Sequence, residues 1–420
     1  MKPDTSEINE PSAGTRTCDA AVIGAGPAGM IAALALAASG CRTILAGPSF
    51  NPASSRPDTR TTALLGPSIQ LLKNLGVWNR CAGFAEPLRA IRIVDSTGRR
   101  LKAPEVTFRA EELAMETFGF NIPNRDLVSA LAAAAAETPG LHMISTAGAR
   151  TVVPHASRVA VHLAEGVEIH ARLVAACDGR RSLCRNAAGI ATRDWSYPQT
   201  AIACNFTHSA PHGGTSNEFH TTAGPFTTVP LPGSESSLVW VVRPRDAERL
   251  MELESRDFAQ EIESRLQGSL GRVGAIGPRS AFPLSGLVPE RFASRRIALV
   301  GEAAHVVPPI GAQGLNLGFR DAATLADLAG AAVRRGADPG SEALLSRYDS
   351  ARRGDVLTRT FAIDVVNRSL LSNFLPLQAA RGAGLQLLNV VGPLRRFVMR
   401  QGLAPQSSVP SLMRAGNAGA

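Results

Sequence analysis

Three short stretches carry residues whose types and spacing could do chemistry. The first, Gly24-Ala25-Gly26-Pro27-Ala28-Gly29, has the spacing G-x-G-x-x-G and stands between the apolar runs 18–23 and 30–38. In that context the glycines let a strand turn tightly into a helix, let backbone approach a pyrophosphate, and aim the helix N-terminal N–H groups at it. The second, Asp178-Gly179-Arg180-Arg181-Ser182-Leu183-Cys184-Arg185, sets an acid, a glycine and arginines at a strand end, a composition suited to a loop against a polyphosphate. The third runs from Gly301 to Asp321. It puts the carboxylate of Glu302 at a strand end, then Pro308, Pro309, Gly311, Gln313, Gly314, Leu315 and Asn316 on a loop that feeds a helix. A carboxylate there suits a sugar hydroxyl, and the helix start suits a delocalised anion. His305 reads as a structural hydrogen-bonding group and not as a base.

The elements that must position these residues follow from the pattern around them. Residues 18–23 predict a strand, 30–38 an apolar helix closed by Gly40, and 42–46 a second strand, so the chain opens on one strand–helix–strand unit. Residues 47–60, rich in Pro, Ser and Arg, read as a loop, and helices are predicted over 68–75 and 126–137. Val159, Val161 and Leu163 alternate, Glu165-Gly166 turns, and 167–177 returns as a hairpin. Short β runs at 200–206, 226–231 and 237–243 predict a separate antiparallel sheet, and 296–300 resumes the nucleotide fold as a buried strand. The expected fold class is α/β. A discontinuous Rossmann-like domain covers 18–105, 140–190 and 286–345, with a connecting helical segment over 106–139. An inserted antiparallel sheet covers 191–285, a helical region 346–420, and 1–17 form a loose tail.

Composition narrows the function classes. With 420 residues, 45% apolar and 19% charged, the chain buries a large core, which excludes small disulfide scaffolds, fibres and disordered proteins. The net charge of +9 is almost all arginine, since only Lys2, Lys73 and Lys102 are lysines, and it reads as genome composition rather than a nucleic-acid surface. The six cysteines are scattered, with no C-x-x-C pair and no histidine at a ligand spacing, so no metal site is expected and a reduced, cytoplasmic thiol set is. Asp4, Glu7 and Glu10 in the first seventeen residues argue against a secretory signal, and no apolar run reaches the ~18–20 residues of a membrane span. Nothing resembles a hydrolytic triad, so a cofactor must supply the chemistry and no catalytic residue is assigned. Ala46 ends the second strand where a dinucleotide fold usually offers an acid to a ribose, and no acid occurs between Asp19 and Asp58. That weakens a nicotinamide dehydrogenase more than a flavoprotein.

In this order and at these separations, the three stretches resemble the FAD-dependent aromatic hydroxylases of the p-hydroxybenzoate hydroxylase fold over about residues 18–400. Within that fold they resemble the ubiquinone-biosynthesis hydroxylases of polyprenylated phenols. Arg60-Thr61-Thr62-Ala63-Leu64 is similar to the family's Arg-x-x-Ala-Leu segment near the flavin. Asn124-Arg125-Asp126-Leu127 carries the Asn usual in the ubiquinone branch, and Gly311-Ala312-Gln313-Gly314-Leu315-Asn316 resembles that branch's Gly-Gln-Gly-x-Asn loop. The resemblance implies FAD as cofactor, NAD(P)H as electron donor, O2 as co-substrate, and transfer of one oxygen atom from a flavin C4a-hydroperoxide to a phenol ring. It further implies that Gly24, Gly26, Pro27, Ala28 and Gly29 hold the FAD pyrophosphate. Asp178, Gly179 and Arg185 would contact FAD and the nicotinamide donor, and Gly301 and Glu302 the ribitol. Arg60, Asn124, Pro309, Gly311, Gln313, Gly314, Leu315 and Asn316 would line the flavin. Three positions depart from the pattern: Glu302 stands where Asp is usual, Ala46 where Glu is, and Ala312 is inserted where a shorter Gly-Gln pair is common.

After Asp364 the sequence has six arginines, Arg368, Arg381, Arg395, Arg396, Arg400 and Arg414, and no acid, interleaved with Leu, Val and Phe. Such a segment either lies on an anionic bilayer or packs on the domain body with its arginines in solvent. The first suits a substrate with an isoprenoid tail, and residues 366–420 are then expected at the inner face of the cytoplasmic membrane. Two other readings stay open: a hydroxylase of a small soluble aromatic, and a flavin-binding accessory protein of a quinone-synthesis complex.

Overall fold

Residues 18–23 are buried without alternation, as a central strand covered on both faces requires. The computed structural model describes residues 14–49, 58–99, 103–372, 374–403 and 409–415. In it the strand Thr15–Ile23 lies between Glu168–Ala176 and Thr43–Gly47, all parallel, and Ile297–Leu299 and Leu141–Ser145 extend the sheet on either side. Residues 15–17, expected in the tail, already pair with 168–170. The rest of that tail, 1–13, and residues 50–57 of the expected loop lie outside the described residues. The hairpin of Val159–Leu163 with Glu168–Ala176 forms as expected, and Ala149–Pro154 adds to its edge.

Helix Pro27–Ala38 is buried from Gly29 to Leu36, apolar all round, because it lies between this sheet and the helices Gln313–Arg334 and Asn124–Glu137.

The second sheet runs Val273–Ile276, Thr192–His208, Glu235–Val242, Pro225–Leu231, Thr215–His220, Ala90–Asp95, Val106–Arg109, and Ser280–Pro289 also pairs with Thr192–His208. Here the pairing differs from the sequence reading. Ala90–Asp95, expected in the nucleotide-binding part, runs parallel beside Thr215–His220, and Val106–Arg109 follows it rather than a helix. The physical reason is burial. This register sets Val94 against the aromatic core of the second sheet, and packs Ile91 and Ile93 with Leu385, Leu388 and Met399 of the C-terminal helices. Gly119–Pro123 likewise forms a small sheet with Thr61–Leu65 and Glu86–Leu88 before helix Asn124–Glu137 begins.

One face of the second sheet carries Phe206, Phe219, Phe226 and Trp240, covered by helices Pro244–Glu252 and Ser255–Leu266. The rings of Phe226 and Trp240 meet edge-to-face at 5.3 Å, a geometry that adds to simple burial. By strand alternation Ala201, Ala203 and Asn205 face the other way, and Asn205 lines a cleft with Asp58 and Thr59. There Thr59 donates to the Ser280 hydroxyl at 3.2 Å. Helices Glu342–Leu371, Leu375–Val390 and Gly392–Leu403 complete the chain. Among the described residues no helix is long and apolar enough to cross a membrane, and no cluster of His, Cys, Asp and Glu could hold a metal ion. The six cysteines are free thiols.

Candidate functional site

The glycine turn joins Thr15–Ile23 to helix Pro27–Ala38. Gly24 stands at φ +110° and its N–H donates to Ala46 O at 2.8 Å. A Cβ there would sit 2.2 Å from Cys177 O, and one on Gly29 1.8 Å from Gly24 O, so both glycines exist to let backbone pass backbone. Gly26 differs: a Cβ on it would meet nothing within 4 Å. Its open side faces no protein atom, as expected of the glycine that a pyrophosphate approaches. Ala46 is buried, with its carbonyl spent on Gly24, and presents no group to a ribose.

Asp178 uses both oxygens to shape its own loop, accepting from Ser182 Oγ at 2.5 Å and from Cys184 N at 3.0 Å. Ser182 in turn caps helix Leu183–Ala187 by accepting from Arg185 N at 2.9 Å. Arg185 is buried and donates to Ala303 O at 3.0 Å and Arg180 O at 2.9 Å. It ties the second stretch to the third, a role set by partners far apart in sequence. Next to that tie Glu302 is exposed at the end of Ile297–Leu299.

Arg60 and Asn124 come together around a residue that sequence reasoning missed. Asp58 accepts from Arg60 Nε and Nη2, each at 2.8 Å, and from Asn124 Nδ2 at 3.3 Å, while Asn124 accepts from the Thr62 hydroxyl. Burial pushes the Asp58 carboxyl up, but the hydrogen bonds and charge of Arg60 outweigh it and hold the group below the usual carboxylate range. The Arg60 guanidinium also lies 5.7 Å from the Phe282 ring, so the second sheet walls this cluster. A cleft of about 350 Å³ opens beside it, lined by Asp58, Phe84, Arg125, Asn205 and Glu235 among others. Burial raises the Glu235 carboxyl in that cleft.

Helix Gln313–Arg334 starts from Ala312 at φ +54° with no side-chain cap, leaving its first N–H groups for a ligand. Pro309, Gly311 and Gly314 are exposed on this loop and Leu315 is half-buried. Asn316, expected to line the flavin, is buried with its amide used elsewhere. It accepts from Leu65 N at 3.0 Å and Ser68 Oγ at 2.7 Å, and donates to Ala63 O at 2.8 Å and Ala312 O at 2.6 Å.

Behind the loop runs a buried ionic chain. Asp321 accepts from Gly301 N at 3.0 Å, His305 Nε2 at 2.7 Å and Arg352 Nε at 2.6 Å. Arg352 reaches Asp355 at 3.0 Å, and Arg359 links Asp355 at 2.8 Å to Gln313 Oε1 at 3.0 Å. His305 is thus a structural group, and the two loop ends, Gly301 and Gln313, are fixed by one network. Burial pushes Asp321 up, and the charges of Arg352 and His305 more than reverse it.

These features fit FAD. Two uncapped helix starts offer N–H groups to anions, Gly26 and Gly314 leave room where a Cβ would meet nothing within 4 Å, and Glu302 is free to accept from sugar hydroxyls. FAD bound there supplies the reaction of a reduced flavin with O2 and delivery of one oxygen atom. The chain's own part would be to hold the pyrophosphate at Gly24–Gly29, orient the ring between the helix start and the Arg60 cluster, and exclude water with the second sheet.

Comparison with known proteins agrees. The FAD binding domain family (FAD_binding_3) matches residues 17–360. The chain is 34% identical over 406 residues to ubiquinone hydroxylase UbiL of Rhodospirillum rubrum, covering 95% of this chain and 93% of that one. It is 29% identical over 387 residues to the 3-demethoxyubiquinol 3-hydroxylase of Escherichia coli, covering 91% and 97%. Among solved structures, p-nitrophenol 4-monooxygenase PnpA from Pseudomonas putida superposes with a TM-score of 0.75 at 18% identity, covering 93% of this chain and 99% of that one. The architecture is therefore that of the p-hydroxybenzoate hydroxylase fold, and the chain belongs to the FAD binding domain family of flavin-dependent monooxygenases.

Proposed function

We propose that this protein hydroxylates the aromatic ring of a polyprenylated phenol in ubiquinone biosynthesis, using FAD, O2 and electrons from NAD(P)H. The observation that supports the reading is that the loop 311–316 and Asn124 both bond to strand Thr61–Leu65, Asn316 accepting from Leu65 N at 3.0 Å and Asn124 from the Thr62 hydroxyl, in a chain similar along nearly its whole length to curated ubiquinone hydroxylases. The residues that would hold FAD are Gly24–Gly29 at the pyrophosphate, Glu302 at the ribitol, and the start of Gln313–Arg334 at the flavin ring. Arg185 and Asn316 act as positioning residues. On this reading the isoprenoid tail stays in the bilayer, and residues 366–420 make peripheral contact with the membrane's inner face.

The test is a quinone profile of lipid extracts from a strain without its ring hydroxylases. Such a strain accumulates prenylated phenols short of ring hydroxyls, and restoring this gene alone is expected to remove one of them and yield its hydroxylated product. A profile that restoring the gene leaves unchanged would count against the reading and favour a soluble aromatic substrate.

A further inference from the structure

Helix Glu342–Leu371 buries one apolar side, with Tyr348, Val356, Ile363 and Leu370, and leaves a second apolar stripe exposed. Toward the second sheet, Asn367 donates to Gln199 Oε1 at 2.8 Å and Asp364 accepts from the Tyr197 hydroxyl at 2.6 Å. On the outer side Leu357, Phe361 and Val365, spaced four residues apart along one face, are 40%, 70% and 44% exposed. A surface helix normally carries polar residues on the side turned away from the core. The helices Leu375–Val390 and Gly392–Leu403, which pack on each other and reach this helix, expose Val390 and Phe397 in the same manner, and Phe374 at their start is exposed too. Concentrated apolar exposure of this kind marks an interaction surface.

Its occupant is argued from charge. No acid follows Asp364 in the sequence; Arg368 is held by Asp364 at 2.8 Å, while Arg396 and Arg400 are exposed on the helix that carries Phe397. A second copy of the chain would set the same arginines against each other. A phospholipid surface offers phosphates to the guanidiniums and an acyl boundary to the phenylalanines. We propose that the face formed by Leu357, Phe361 and Val365, with Phe374, Val390 and Phe397, lies on an anionic lipid bilayer. The contact is centred on the long helix and so begins before residue 366. It rests on the prenylated-substrate reading for its purpose: the helix that meets lipid is the one bonded to the sheet that walls the site, so a substrate's tail need not leave the bilayer.

The test is flotation of the full-length, FAD-loaded protein with vesicles of phosphatidylcholine alone and of phosphatidylcholine with phosphatidylglycerol. The expected result is recovery with the anionic vesicles and little with the neutral ones. Phe361→Ser combined with Val365→Ser is expected to weaken that binding by about tenfold or more. Arg396→Glu combined with Arg400→Glu is expected to abolish the preference for anionic lipid. Flavin absorbance and thermal midpoint, measured on each variant, verify that it is folded. Wild-type protein that floats with neither vesicle would overturn the proposal, as would undiminished flotation of the Phe361/Val365 variant. A variant that loses self-association in sedimentation while its flotation is unchanged would assign the face to a second copy instead. Turnover of a short, soluble phenol separates the two readings. Hydroxylation without flotation counts against the lipid surface alone, and flotation with no hydroxylation of any phenol counts against the catalytic reading alone.

Discussion

The Asn316 side chain accepts a hydrogen bond from the backbone N–H of Leu65 at 3.0 Å, joining positions 251 residues apart. Through it the start of helix Gln313–Arg334 is fixed to Thr61–Leu65, the strand that follows Arg60. Asn316→Ala would leave Leu65 N and Ser68 Oγ without their acceptor. The expected cost is about 2–4 kcal/mol in denaturant unfolding, with weaker FAD binding because the uncapped helix start is no longer held in place. A variant as stable as the parent would contradict the tie.

The glycines of the first turn separate by what their Cβ atoms would meet. Gly29→Ala forces a carbon to 1.8 Å from Gly24 O and is expected to prevent folding or cost several kcal/mol. Gly26→Ala meets no protein atom, so the apoprotein should melt as the parent does while FAD affinity falls by about tenfold or more. Thermal melting with and without FAD checks both, and equal loss of apoprotein stability in the two would refute the distinction.

This first turn was legible in the sequence because its logic is local: strand, glycines and helix adjoin. The third stretch was legible by composition and order. What stayed hidden depends on distant partners. Arg185 reads as a phosphate-binding arginine until Ala303 O is seen in front of it, and Asp58 reads as a loop residue until Arg60 and Asn124 converge on it. Ala90–Asp95 has the pattern of any half-buried strand, and only its register beside Thr215–His220 places it in the second sheet. The exposure of Leu357, Phe361 and Val365 is likewise visible only once the helix is seated on the second sheet through Asp364 and Asn367.

Glu302 is exposed at its strand end, where its longer arm replaces the family's usual Asp. Glu302→Ala should lower FAD affinity by about tenfold with little change in apoprotein stability, and Glu302→Asp should retain most of the affinity. Fluorescence titration with FAD measures it. Unchanged affinity in the alanine variant would remove Glu302 from the site.

Acid sensitivity should be traceable to the ionic chain behind the loop. Burial alone would raise Asp355, but Arg352, Arg320 and Arg359 bring it from its ordinary 3.8 down to about 2. A lowered carboxylate stabilises the fold above its unfolded value, and that contribution disappears as pH falls from near 4 through about 2. The amount lost is about 2 kcal/mol. Asp355→Asn should lower stability at neutral pH, because it leaves buried arginines uncompensated, and should flatten the decline below about pH 4. Unfolding free energies measured across that range decide it; an acid limb as steep as the parent's would exclude Asp355 as its source.

The central claim is that this chain places one atom of dioxygen on the ring of a prenylated phenol. The most direct measurement is turnover of the purified, FAD-loaded protein with a prenylated phenol, a reductant and isotopically heavy dioxygen, with mass spectrometry of the product. The account predicts a ring hydroxyl that carries the heavy oxygen and a product that disappears when FAD is removed. Flavin that is reduced and reoxidised in the presence of the phenol without any labelled product would contradict it.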